Sequence, residues 1–188
     1  MRICFAQLGH NYGVQDFFVV FDRDGTLIEY VPYLTKVEQI TLIAGVDVAI
    51  RRLNELGIPV VVITNQSLIG RGLATEKQVF ELNSFIVAQL GARGATIDHV
   101  YLCPHRPEDN CQCRKPRTQL LEVAARSFDL NPSQAVVIGD NHVDMQLALN
   151  AGALGLHVQS RVGYVPSDEF RSFVSPLDAV TWLLSQDI

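Results

Sequence analysis

The 188-residue chain is long enough for one domain with a substantial core, and 48% hydrophobic with 19% charged residues is the composition of a soluble globular protein. A net charge of −5 with no basic run excludes binding held mainly by nucleic-acid phosphates or by an anionic membrane surface. It leaves open a local basic site for a small phosphorylated molecule.

In chain order, residues 1–16 carry little signal: Ile3 to Leu8 reads as a short strand and Gly9 to Asp16 as loop. Phe17 to Phe21 is a continuous apolar run, rich in Phe and Val, and predicts a strand buried on both faces. Residues 25–44 mix Tyr, Pro and Thr without helical period and predict a hairpin or flap. Val46, Ala49, Ile50, Leu53 and Leu56 recur at helical spacing up to Gly57. Ile58 to Ile63 predicts a second strand, ending in Thr64-Asn65-Gln66-Ser67, and a loop runs on to Thr75. Thr75 and Gln78 fit a capping box for a helix with Val79, Leu82, Phe85, Ile86 and Leu90 on one face. Ile97 to Leu102 predicts a third strand, Leu120 to Phe128 a helix, and Ala135 to Ile138 a fourth strand. A helix over about Asp144 to Asn150 is stopped by Gly152, and Leu154 to Val158 predicts a fifth strand. Ser175-Pro176-Leu177-Asp178 caps a last helix through Leu184. Strands alternating with helices predict an α/β fold, a doubly wound, Rossmann-like parallel sheet flanked by helices. The intervals Asp24–Thr64 and Thr64–Lys115 are already filled by core elements and cannot hold a separate cap domain, which needs ~50 further residues. One domain over residues 1–188 is expected, with 103–113 as an inserted loop and 1–16 as an N-terminal extension.

The polar motifs fall just after the predicted strands. Asp22 and Asp24 lie two apart, so in extended backbone they project together from the carboxyl end of the first strand. Two carboxylates this close repel unless a cation or a shared proton compensates, and a hard, oxygen-ligated Mg2+ would do so. A solvated turn is the alternative for this motif alone. Thr64 offers a hydroxyl to a phosphate oxygen, Arg114-Lys115 puts two cations ahead of a helix, and Asp140 and Asp144 add two acids. Singly these read as a strand-ending turn, solvated charge and helix capping. Together, in order and at one sheet edge, they predict a phosphoryl site. Mg2+ held by Asp22 and Asp140, with Lys115 and Thr64, would neutralise the charge on a phosphate ester while Asp22 attacks phosphorus and Asp24 serves as acid and base.

Cys103, His105, Cys111 and Cys113 form Cys-x-His-x5-Cys-x-Cys. Three thiolates and an imidazole suit tetrahedral, structural zinc, and a disulfide plus a free thiol, or three unligated cysteines, are the alternatives. Cys4 lies outside this cluster and reads as a small buried residue. The cysteine pattern, the absence of a signal-peptide core in residues 1–16 and the lack of any apolar run near the ~20 residues of a membrane span predict a cytoplasmic chain.

Asp22-Arg23-Asp24-Gly25-Thr26-Leu27 resembles the first motif of the haloacid dehalogenase superfamily. Thr64-Asn65-Gln66-Ser67, Cys103-Pro104-His105 and Cys111-x-Cys113-Arg114-Lys115-Pro116 resemble its zinc-containing branch of phosphatases, which includes heptose bisphosphate phosphatases and histidinol-phosphatases. The resemblance runs from about Phe17 to Gly152. It implies a nucleophile at Asp22, an acid/base at Asp24 that also lends the metal its backbone carbonyl, and Asp144 in support. It also implies substrate contacts from Tyr30, Val31, Pro32 and Tyr33, from Asn65, Gln66 and Ser67, and from Arg114. Leu68 stands where these enzymes usually carry Gly, and Asn141 where the heptose enzymes have Lys. The short spacing of His105 and Cys111 is that of histidinol-phosphatases, while Arg71-Gly72 resembles the heptose enzymes, and Arg71 with Arg114 would bind a second, remote phosphate of the substrate. The expectation is therefore a phosphatase of a small phosphorylated metabolite, first a heptose bisphosphate and second histidinol phosphate, with a non-catalytic phosphate sensor as the third reading. Neither a nucleic acid nor a membrane is an expected partner. The sequence leaves the oligomeric state open and is compatible with a monomer.

Overall fold

The computed structural model describes residues 16–160 and 168–186. The expected strand over Ile3–Leu8, the start of the following loop, and Cys4 lie outside these residues. Six strands form one sheet in the order β3-β2-β1-β4-β5-β6: β1 (Phe18–Phe21), β2 (Val60–Asn65), β3 (His99–Cys103), β4 (Ala135–Gly139), β5 (Leu154–Val158) and β6 (Arg171–Phe173). Every pairing is parallel. β1 is central, with Val20 opposite Val61 on one side and Val137 on the other.

Alternation along β1 divides the core in two. Val19 and Phe21 face helices α1 (Val46–Glu55), α3 (Glu76–Gly91) and α6 (Pro176–Leu184) through Ile50, Leu82, Ile86 and Leu183. Phe18 and Val20 face α4 (Gln119–Arg126) and α5 (His142–Ala151) through Leu121, Ala125 and Leu147. A strand buried on both faces has to be apolar throughout, which is why the run Phe17–Phe21 contains no polar residue. Truncating one of these buried leucines to alanine costs about 2–5 kcal/mol by the usual measure of core cavities.

The strand order reverses between β1 and β4. A parallel sheet opens a crevice at such a point, beyond the carboxyl ends of the strands on either side. The ends of β1, β2, β3 and β4 all lie on that edge, so Asp22, Thr64, Cys103 and Asp140 are gathered there. Residues 25–44 form a flap over it: Ile28 bridges Leu42 in antiparallel fashion, and the Glu29 N–H donates to the Thr41 carbonyl at 2.9 Å. Among the described residues, the flap, α1, the one-turn α2 (Ser67–Gly70) and α3 are all that the β1–β2 and β2–β3 connections carry. Among the described residues no second sheet stands over the crevice.

Three local departures from the sequence expectation have physical reasons. Leu56 is exposed because α1 ends at Glu55 and the helical period no longer governs it. The one-turn α2 lies in the expected loop, drawn up by bonds from the Gln66 N–H to the Cys103 carbonyl at 2.7 Å and from the Gly70 N–H to the Pro104 carbonyl at 2.9 Å. The edge strand β6 has no apolar run of its own and is defined by pairing with β5. Among the described residues no helix is long and apolar enough to cross a membrane.

Candidate active site

Asp22 extends β1 by one residue. Its N–H donates to the Ile138 carbonyl at 2.9 Å, which brings its side chain level with Asp140 at the end of β4. The chain then turns at Gly25, whose φ is +81°. A Cβ there would stand 2.1 Å from Asp140 Oδ2, so only glycine lets the turn approach that carboxylate. Gly139 is needed for the same kind of reason, since its Cβ would lie 2.5 Å from the Asp144 carboxyl carbon.

Lys115, 3% exposed, reaches in from the segment after β3. Its Nζ donates to Asp22 Oδ1 at 2.7 Å and to Asp144 Oδ1 at 2.6 Å. Asp144 also accepts from the Asn141 N–H at 3.2 Å, so it braces both the lysine and the start of α5. Asp22, Asp140 and Asp144 each present an oxygen, all within 4.8 Å of one another. Burial raises Asp22 to about 7 against the opposing pull of Lys115, with the charges of Asp144 and Asp24 adding to the rise. Burial likewise lifts Asp140 to about 6, only partly countered by a hydrogen bond from Ser160. Burial on its own would depress the Lys115 ammonium, but the Asp144 and Asp22 carboxylates together hold it well above the ordinary lysine range. Three buried acids thus share one lysine, a pocket short of positive charge with hard oxygen donors, which is the donor chemistry of Mg2+.

Around this centre lies a cleft of about 600 Å³. Every residue that the sequence assigned to catalysis, substrate or the Mg2+ site lines it: Asp22, Asp24, Tyr30–Tyr33, Thr64–Ser67, Arg71, Arg114, Lys115 and Asp140. Their postures differ. Tyr30, Tyr33 and Arg71 are exposed, and Arg71 pairs with no carboxylate among the described residues. Gln66 is 4% exposed and turned inward: its Nε2 donates to Asp24 Oδ2 at 2.9 Å and to Thr64 Oγ1 at 2.7 Å. Because the Thr64 oxygen accepts that bond, its own proton remains available for another acceptor. Asn65 turns its side chain to the Lys115 backbone, and Arg114 donates to the His105 carbonyl at 3.2 Å.

Sequence reasoning passed over Arg23 and Asn83. Arg23 is buried, lines the cleft, and bonds the Asp24 carboxylate and the side chains of Gln66 and Asn83. Asn83 sits on the apolar face of α3, between Val79 and Ile86, where a polar residue at helical spacing was the available signal.

Beside the cleft, Cys103, His105, Cys111 and Cys113 close into one cluster. Their sulfurs are 3.3–3.6 Å apart, against about 2.0 Å for a disulfide. His105 Nδ1 lies 3.2 Å from the Cys113 sulfur and 3.6 Å from that of Cys103. Tetrahedral zinc with Zn–S bonds of about 2.3 Å sets its sulfurs about 3.8 Å apart, close to this spacing. Burial pushes the Cys103 thiol up to about 12, so its thiolate would need a cation beside it.

Residues 35–152 match the haloacid dehalogenase-like hydrolase family. A D-glycero-beta-D-manno-heptose-1,7-bisphosphate 7-phosphatase from Yersinia pestis is 36% identical over 152 residues, covering 77% of this chain and 80% of that protein. A histidine biosynthesis bifunctional protein from Legionella pneumophila is 36% identical over 134 residues, covering 70% of this chain but 38% of that protein. Among solved structures, a D,D-heptose 1,7-bisphosphate phosphatase from B. bronchiseptica, complexed with magnesium and phosphate, superposes with a TM-score of 0.81. It is 28% identical and covers 90% of this chain and 99% of that one.

Proposed function

The chain belongs to the haloacid dehalogenase-like hydrolases, and from that premise we propose that it is a Mg-dependent, cytoplasmic phosphatase removing one phosphate from a heptose 1,7-bisphosphate. The observation that carries this reading is the convergence of Asp22, Asp24, Thr64, Lys115 and Asp140 on one cleft. Asp22, Asp140 and the Asp24 backbone carbonyl would hold Mg2+. When bound, the cation supplies charge neutralisation to the carboxylates and to the phosphoryl oxygens.

Lys115 fixes one oxygen of Asp22 and leaves the other without a hydrogen-bond partner among the described residues. That oxygen attacks phosphorus and forms an aspartyl phosphate. The Lys115 ammonium and the Thr64 hydroxyl face the charge that develops on the phosphoryl oxygens. Asp24 gives its proton to the departing sugar oxygen and then, as carboxylate, takes a proton from the water that releases phosphate. Arg71 and Arg114 are cations beyond those needed for the reacting phosphate, and a second, remote phosphate is the partner that suits them. The four Cys/His ligands would hold structural zinc, which anchors the segment carrying Arg114 and Lys115. We further propose that the chain acts as one phosphatase domain without a cap.

Phosphate release from heptose 1,7-bisphosphate and from histidinol phosphate, measured side by side with Mg2+, tests this reading. Faster turnover of the bisphosphate is the expected result. The second reading, histidinol-phosphatase, rests on the short His105–Cys111 spacing.

A further inference from the structure

Arg23 is 2% exposed, yet every guanidinium nitrogen is engaged. Nε and Nη2 fork onto the Asp24 carboxylate at 3.2 and 2.9 Å, and Nη2 also donates to Gln66 Oε1 at 2.9 Å. Nη1 donates to Asn83 Oδ1 at 2.9 Å. Asn83 is 7% exposed, stands on α3, and does not line the cleft. A buried guanidinium is tolerated only when its charge and its donors are met, and a planar fork fixes its partner's orientation.

We infer that Arg23, anchored by Asn83, is a positioning residue that aims the Asp24 carboxyl at the leaving-group oxygen. The inference rests on the proposed role of Asp24 as acid and base. In the first step the bond from Asp22 to phosphorus forms. The bond from phosphorus to the ester oxygen breaks, its electron pair stays on that oxygen, and the Asp24 proton moves onto it. The carboxylate left behind is what the guanidinium fork holds best, so the pairing strengthens as the proton departs. Gln66 completes the frame by bonding Asp24 and Thr64 with one amide group. Without Asn83 the guanidinium loses its Nη1 anchor and is held beyond Asp24 only by Gln66, and Asp24 loses the alignment that proton transfer requires.

The test uses kcat/KM with Mg2+ on two esters. The phenolate of p-nitrophenyl phosphate leaves without a proton, whereas the alkoxide of glycerol phosphate needs one. Asn83→Leu removes the acceptor at nearly constant size, and Arg23→Lys keeps the charge without the fork. In both variants the loss on the alkyl ester should exceed the loss on the aryl ester by ~10-fold or more. Asp24→Asn should show the same bias, and Asn83→Asp, which keeps an acceptor, should restore most of the alkyl-ester activity. Equal losses on the two esters in folded Arg23→Lys overturn the positioning role even if Asn83→Leu does not fold. If Asp24→Asn itself loses both esters equally, the acid/base reading falls and takes the inference with it.

Discussion

The side-chain amide of Asn65 grips the backbone of Lys115 at both ends. Its Oδ1 accepts from the Lys115 N–H at 3.0 Å, and its Nδ2 donates to the Lys115 carbonyl at 3.2 Å. Two strands' worth of chain are thereby joined where the lysine must turn inward to meet Asp22 and Asp144. Asn65→Ala should leave the fold intact and lower kcat by roughly 10-fold or more, because small displacements of a positioned group cost up to ~100-fold. Steady-state kinetics beside a melting curve would check this. An unchanged kcat would mean that Lys115 holds its place unaided.

Gly25 offers a sharper case, because two independent constraints meet there. A side chain at φ +81° is strained by about 1–3 kcal/mol, and its Cβ would collide with the Asp140 carboxylate. Gly25→Ala should therefore lower the melting temperature and raise the Mg2+ concentration needed for half-maximal activity. A variant with wild-type Mg2+ dependence would show that Asp140 has room to move.

Much of this was legible in the sequence. Apolar runs marked the first five strands, most plainly β1, β2 and β4, since a strand buried on both faces cannot hide its composition. Thr75 and Gln78 form the capping box that their spacing announced, with the Thr75 N–H donating to Gln78 Oε1 at 2.8 Å. The residues of the cleft could be named because each follows a strand at the same sheet edge. Their postures could not, because those depend on contacts between distant segments. Gln66 faces Arg23 and Asp24, and Asn65 faces Lys115, through bonds that cross 42 to 50 positions of the chain. β6 and α2 were missed for the same reason: neither has enough residues to carry a period, and both are set by what they pair with.

Purified protein should contain about one zinc per chain, and chelation should destabilise it rather than merely inhibit it. The ligand atoms already sit within 4.8 Å of one another, in a loop that buries little else. Elemental analysis and a melt with and without chelator decide the matter. Metal-free protein with an unchanged melting temperature would remove zinc from the account.

Arg71 is exposed at the rim of the cleft and pairs with no carboxylate among the described residues, so its removal should leave the fold unaffected. If it serves a second phosphate, Arg71→Ala should lower kcat/KM for a sugar bisphosphate by about 10-fold more than for the matching monophosphate, since charge-assisted bonds are worth about 1.5–3 kcal/mol. Equal losses on the two substrates would assign the charge to solvent.

The central claim is that Asp22 is the nucleophile of a Mg-dependent phosphatase, and phosphate release by wild type and Asp22→Asn tests it most directly. With a sugar bisphosphate and added Mg2+, wild-type protein should release phosphate and Asp22→Asn none that is measurable. The variant should still fold, as circular dichroism would report. Substantial phosphate release by folded Asp22→Asn would contradict the account.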